Sequence, residues 1–142
     1  MAQENGKGHC SAVFAVNRKG EVLIVRNPLS EEDKKAGKKA FWKIPAGVKE
    51  GNETPSQTAV REFIGESGGV KVEENDLEPV CVIDRGTHFW HLFSVRDIPF
   101  SKREKIGDEG EETRVVSVET LRNMPDFVYA HKRILTEHGL LL

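Results

Sequence analysis

The sequence predicts a mixed fold of strands and helices, in the α/β or mixed α+β class. Three observations carry that expectation. Short apolar runs bounded by turn residues predominate along the chain. A stretch beginning at Thr54 has a complete helix start and stop. The C-terminal stretch spaces its apolar residues for one buried helical face. The 142 residues suit one domain with a core of its own, expected as a disordered tail over 1–8 and a single domain over 9–142.

His9 to Val16 is an apolar run that reads as a strand. Asn17-Arg18-Lys19-Gly20 reads as a turn and Glu21 to Arg26 as a second strand, so the two are expected to form a hairpin. Residues 27–40 are polar and rich in lysine. They read either as a solvated loop or as a flap that touches an anionic ligand. Phe41 to Gly47 is a short apolar strand stopped by Pro45 and Gly47.

Thr54-Pro55-Ser56-Gln57 then places Thr at an N-cap, Pro at the first helical position and Gln where a capping box needs it. The helix runs to Ser67-Gly68-Gly69, which suits a C-terminal cap. Leu77–Ile83 and Thr87–Val95 read as strands. On the second, Trp90 and the Phe residues are read as core, with a pocket wall as the alternative. A polar loop over 98–111, a strand over Thr113–Val118 and a helical turn to Arg122 follow. A last helix is expected from Pro125-Asp126, capped by Asp126. It would bury Phe127, Ala130, Ile134 and Leu135 and leave His131, Lys132, Arg133 and His138 in solvent.

Composition removes several function classes. Lys+Arg number 21 and Asp+Glu 23, a net charge of -2, which gives no general attraction to nucleic acid or to an anionic membrane. No apolar run reaches membrane-spanning length, and the polar start has no signal-peptide core. Two cysteines cannot form a disulfide framework, and with no secretion signal the expected location is the cytoplasm. His9, Cys10, Cys81, His88 and His91 lack the spacing of a zinc site.

The chemistry concentrates on the central helix. Glu62 and Glu66 are four apart, so they share a face with Cβ atoms roughly 6 Å apart. Such a pair is either a solvated acidic face or a site for a hard cation, Mg²⁺ or Mn²⁺. The wider spacing favours the second. Gly47 is followed by five residues, Glu53, seven residues, Arg61-Glu62-Phe63, one residue, then Gly65-Glu66-Ser67-Gly68. This resembles the Nudix box over Gly47–Val70, with Gly65 in place of one Glu and Gly69 in place of an apolar residue.

The resemblance to the Nudix hydrolase family implies an α/β/α sandwich around a mixed β-sheet. It implies a metal-dependent hydrolase that cleaves the pyrophosphate linkage of a nucleoside diphosphate joined to another group. It assigns Glu62 and Glu66 to the divalent cation, with the backbone carbonyl of Ala46 as a further ligand. Gly47, Glu53, Arg61 and Gly68 are assigned to the geometry of the loop and helix. A general base is expected from Asp108-Glu109-Gly110-Glu111-Glu112, with Glu109 chosen first and Glu112 second. The partner is a nucleotide-derived small molecule, and a homodimer is compatible with the sequence. The stretch Asp84-Arg85-Gly86-Thr87 carries neither the Pro of ADP-ribose hydrolases nor the Tyr of dinucleoside polyphosphate hydrolases, so substrate identity stays open.

Gly65 also leaves a second reading, a Nudix-fold nucleotide-binding or regulatory domain with weak or no hydrolysis. Glycine inside a helix costs about 1 kcal/mol relative to alanine. Gly65→Glu is therefore expected to stabilise the helix and tighten cation binding, provided position 65 has room for a side chain.

Overall fold

A computed structural model describes residues 7–101 and 106–141. The chain starts with strand β1 at Gly8–Ala15, every second residue of which faces one of two cores. Ala12 and Phe14 enter the first core; Val13 and Ala15 enter the second. A strand apolar on both faces belongs inside a sheet, covered on both sides. The expected tail over 1–8 therefore ends sooner: Gly8 is already in the strand, and Lys7 pairs with Asp84 at 2.8 Å. Residues 1–6 of that tail lie outside the described residues.

Strand β2 is Glu21–Arg26, but the expected hairpin does not form. Past the end of β1 the chain makes the isolated bridge Val16–Val22 and a bond from the Asn17 N–H to the Glu21 carbonyl at 2.9 Å, and among the described residues no ladder joins β1 to β2. β1 lies instead between β3 (Ala46–Val48), antiparallel, and β5 (His88–Val95), parallel along its whole length. β2 pairs with β6 (Glu112–Ser117) from Glu21–Ser117 to Arg26–Glu112. Full-length ladders with distant partners outweigh the local turn, because both strands bury apolar side chains on two faces. β4 (Glu78–Asp84) completes the mixed four-stranded sheet in the order β3-β1-β5-β4.

The strand expected over Phe41–Gly47 is displaced to Ala46–Val48. Pro45 has no N–H to give a ladder. Its carbonyl accepts from the Val13 N–H at 2.9 Å, and regular pairing starts beyond it. Trp42 and Lys43 form isolated bridges to Phe127 and Val25.

Helix α1 (Glu31–Lys35) lies within the polar stretch, capped by Ser30, with acids in its first turn and lysines in its last. Helix α2 (Pro55–Glu66) has the expected capping box, Thr54 with Gln57. It packs Ala59 and Phe63 into the second core with Val13, Phe93 and Val95. A 3₁₀ turn at Glu74–Asp76 leads into β4. Helices α3 (Val118–Arg122) and α4 (Tyr129–Glu137) cover the first core with Leu121, Ile134 and Leu135. The sheet is thus flanked by α2 on one side and by α3 and α4 on the other. Trp90 and Leu92 face the first core and Phe93 the second, but Phe89, read as core with them, joins neither and lies half-buried beneath the Lys7 ammonium.

The last helix starts later than expected. The Asp126 carbonyl accepts from the Trp42 N–H, and the Val128 N–H donates to the Trp42 carbonyl, both at 2.8 Å. These bonds tie the chain on either side of Phe127 to Trp42, so the helix is capped at Val128 rather than Asp126, and Ala130 is exposed. Two residues assigned to solvent turn inward. Lys132 donates to the Met124 carbonyl at 2.7 Å. His131 packs against Trp90, and burial lowers its pKa to about 4. No helix among the described residues is long and apolar enough to cross a membrane.

Candidate active site

The carboxyl-bearing end of α2 faces a cleft of about 470 Å³. Glu62 and Glu66 line it, with Lys43, Ala46, Gly47 and Glu50 from the segment before the helix. Glu109 and Glu111 close the far wall. The Ala46 N–H donates to Glu66 Oε1 at 2.9 Å, fixing that carboxylate at the mouth of β3. Glu66 is only 6% exposed, and burial pushes its pKa up to about 7. Lys43 and the Ala46 bond oppose that rise; the charges of Glu62 and Glu111 add to it.

Gly47 has a physical reason to be glycine. A Cβ built there would run into the Glu62 carboxylate, which lies directly over the bare Cα. Burial raises the Glu62 pKa, outweighing the opposing effect of Arg61.

Arg61 holds the loop to the helix. Its Nε and Nη2 donate to Glu53 at 2.7 and 3.0 Å, its Nη1 to Glu62 Oε1 at 2.6 Å, and its Nη2 also to the Val48 carbonyl at 2.9 Å. Bonding to Arg61 brings the Glu53 pKa down to about 2. Glu53 also accepts from Thr58 Oγ1 at 2.9 Å, and Thr58 is in contact with His9 Nε2 at 2.9 Å. The expected Arg61–Glu53 pair is therefore present, and it is wider than expected because Glu62 is part of it. Gly68, at φ 75°, takes the left-handed turn that ends the helix.

The loop before β6 splits the four candidate carboxylates. Glu109 lies on the cleft, as chosen. Glu112 does not: it is drawn onto β6, where it pairs with Arg26 at 2.7 Å. Glu111, passed over in the sequence, is buried at 5% exposure, faces the cleft, and accepts from the Glu109 N–H at 3.1 Å. The one signal for it was its place two residues from Glu109 across Gly110, a turn that folds it back. Asp108 lies over Gly65, and a Cβ on Gly65 would come 2.7 Å from its Oδ2. A side chain at position 65 therefore has to displace the exposed Asp108 carboxylate, a neighbour the Gly65→Glu expectation did not include.

Among the described residues no three His, Cys, Asp or Glu side chains already converge as a metal cage. The donor set nonetheless suits a hard divalent cation: it is all oxygen, chiefly carboxylate. A larger groove of about 900 Å³, with Leu23, Ile98, Phe100 and Val115 in its wall, lies on the other side of the C-terminal end of α2. It holds none of these carboxylates.

The NUDIX domain model matches residues 8–138, and the chain belongs to the Nudix family. Solved structures share the fold. A MutT structure, from work on the enzymes of Aliivibrio salmonicida and Vibrio cholerae, superposes with a TM-score of 0.71 at 22% identity. The match covers 93% of this chain and 96% of that one. A bifunctional NMN adenylyltransferase/ADP ribose pyrophosphatase from Francisella tularensis, solved with AMP and a manganese ion, gives 0.69 at 20% identity. That match covers 94% of this chain but 42% of the larger protein. No curated protein matches the sequence.

Proposed function

We propose that this chain is a metal-dependent hydrolase that cleaves the pyrophosphate linkage of a nucleoside diphosphate joined to another group. The observation that carries the reading is the buried Glu66, fixed by the Ala46 N–H, on a helix whose Glu62 is locked by Arg61 beside an acidic cleft. The neighbour solved with AMP and manganese supports both the nucleotide and the ion. Bound Mg²⁺ or Mn²⁺ supplies neutralisation of the diphosphate and a more acidic water.

Glu62 and Glu66 hold the cation, with the Ala46 carbonyl as a further donor. Lys43, on the same cleft, faces the phosphate charge. Glu109 takes the proton of the attacking water as its oxygen bonds to phosphorus and the bridging oxygen leaves. Arg61 and Glu53 position the helix and loop and do not react. The substrate is a nucleotide-derived small molecule, met in the cytoplasm, where both free cysteines stay reduced.

The test is a panel of nucleotide sugars, dinucleoside polyphosphates and oxidised nucleoside triphosphates, with Mg²⁺ or Mn²⁺. Release of phosphate or nucleoside monophosphate from any member supports hydrolysis. Binding without release across the panel would establish instead the non-cleaving, regulatory reading that Gly65 invites.

A further inference from the structure

His9 is the second residue of β1, buried, and packed edge-on against His91 with ring centroids 5.7 Å apart. Its Nε2 lies 2.9 Å from the hydroxyl of Thr58, a fully buried residue of α2. A core histidine needs a partner for its polar edge, and Thr58 meets that need. The protons along the contact give it a second role.

Thr58 has one hydroxyl proton, and Glu53 Oε1 accepts it at 2.9 Å. Bonding to Arg61 holds the Glu53 pKa at about 2, so that carboxylate is ionised and can only accept. The Thr58 oxygen has only lone pairs left, and the His9 ring must be the donor. Burial, then His91 and Lys49, keeps the His9 pKa below its ordinary 6.5. Above neutral pH the ring therefore carries one proton, and that proton sits on Nε2. The bonds run in one direction, from His9 to Thr58 to Glu53. Glu53 in turn sets the fork of Arg61, accepting from Nη2 at 3.0 Å and from Nε at 2.7 Å. The remaining Arg61 nitrogen, Nη1, holds Glu62 Oε1 on the cleft.

The same residue brackets the loop that carries Glu53. The His9 carbonyl accepts from the Lys49 N–H at 3.0 Å, just beyond β3, while the ring reaches into α2. β1 also pairs with β3 through Ala12–Ala46, and the Ala46 N–H fixes Glu66. β1 is thus the common frame for both cleft carboxylates. It aims Glu66 through backbone and Glu62 through a line of side chains that begins at His9.

We propose that His9 is a positioning residue of the hydrolytic site: its Nε2–H, acting through Thr58, Glu53 and Arg61, sets where the Glu62 carboxylate stands for the cation. It touches neither substrate nor metal. The proposal rests on the hydrolase reading above and adds to it a residue of the first strand.

The experiment uses the full chain and two measurements that need no turnover. At about pH 8 the imidazole nitrogen-15 spectrum should show the His9 proton on Nε2. A ring with its proton on Nδ1 alone would overturn the proposal. Titration with Mn²⁺ alone, read by water-proton relaxation, then compares variants. Thr58→Val keeps the shape and removes the hydroxyl; His9→Leu removes the ring donor. Each should weaken Mn²⁺ binding by about tenfold, the lower end of the effect of partners that orient a metal ligand. Together they should lose no more than either alone, because both cut one line of bonds. His9→Gln returns an N–H donor and should restore most of the affinity, whereas a His9→Gln variant as weak as His9→Leu would reduce the histidine to packing. Should either Thr58→Val or His9→Leu fail to fold, the other decides. Parent-like Mn²⁺ binding in these variants, with binding lost in Glu66→Gln, would overturn the role of His9 and leave the hydrolase reading standing. A parent that binds no Mn²⁺, or a Glu66→Gln variant that binds it like the parent, would overturn both.

Discussion

Helix α2 meets the rest of the protein along two flanks that are built in opposite ways. On one, Arg61 ties Glu53, Glu62 and the Val48 carbonyl together by charge-assisted bonds of 2.6–3.0 Å. On the other, the loop 107–111 lies backbone against backbone over Gly65, through Gly107 and the Asp108 N–H. The first flank depends on charge and has long side chains that can absorb small shifts. The second depends on the absence of side chains and has little room for a methyl group. One active cleft thus rests on two kinds of precision, which should fail under different perturbations.

The largest effect should come where both flanks converge. Glu66→Gln keeps the size of the side chain and removes its charge, and turnover should fall by orders of magnitude while circular dichroism stays that of the parent. Near-parent turnover would detach the cleft from the chemistry. Glu109→Gln, on the glycine-built flank, should lower kcat by roughly 10²–10⁴ with Mn²⁺ affinity retained, as loss of a base does. Full activity in that variant would pass the role to another group on the cleft, with Glu111 the first to test.

Stability should respond to pH through Glu66. Its folded-state pKa of about 7 lies above the ordinary 4.5. The contribution to stability is therefore complete below 4.5 and lost as pH rises through about 7, by up to about 3 kcal/mol. Denaturant midpoints in EDTA should fall between pH 5 and 8, and excess Mg²⁺ should flatten that fall by linkage. A metal-free profile that rises over this interval would contradict the burial of that carboxyl.

Arg61→Ala tests the charged flank alone. Arg61 is one-third exposed, so solvent screening limits the loss to about 2 kcal/mol. Arg61→Lys should recover only part of it, because an ammonium cannot span two carboxylates as a planar fork does. Equal melting temperatures for parent and Arg61→Ala would show the network to be decorative. The smallest effect belongs to Gly65→Ala. An open helix would gain roughly 1 kcal/mol, whereas here displacement of Asp108 should hold the variant within about 0.5 kcal/mol of the parent. A full gain, measured by urea unfolding in EDTA, would mean the seam is loose.

The two flanks also differ in how far they could be read from the residues. Every member of the Arg61 network lies within Val48–Glu62, so fixed spacing along one loop and helix announces it. The same holds for the capping box of α2. The seam with Asp108 joins positions 43 residues apart in the chain through close backbone approach, and no local pattern records that. Gly65 was legible only as a departure, and its meaning depended on a loop that the sequence could not place against it. Glu111 was missed because burial separated it from Glu112, its neighbour in an apparently uniform acidic run. The false hairpin has the same origin: Asn17–Gly20 does turn the chain, but the full-length partners of β1 and β2, which are β5 and β6, lie in the second half of the sequence. His131 looked solvated because its charged neighbours do, although its ring lies against Trp90.

The distant partners of β1 and β2 also bear on how the cleft comes into being. β2 finds β6 about ninety residues later, and the loop carrying Asp108, Glu109 and Glu111 is the segment that leads into β6. Closing so long a loop is entropically costly and slow, while α2 and its capping box need only local sequence. The helical half of the acidic wall can therefore form early, and the loop half arrives only when the β2–β6 ladder zips. Mutual repulsion among the carboxylates then acts on the final step of folding, where Mg²⁺ in the refolding buffer should accelerate closure. Pulse-labelled hydrogen exchange should show the β6 amides protected after those of α2, with the interval shortened by the ion.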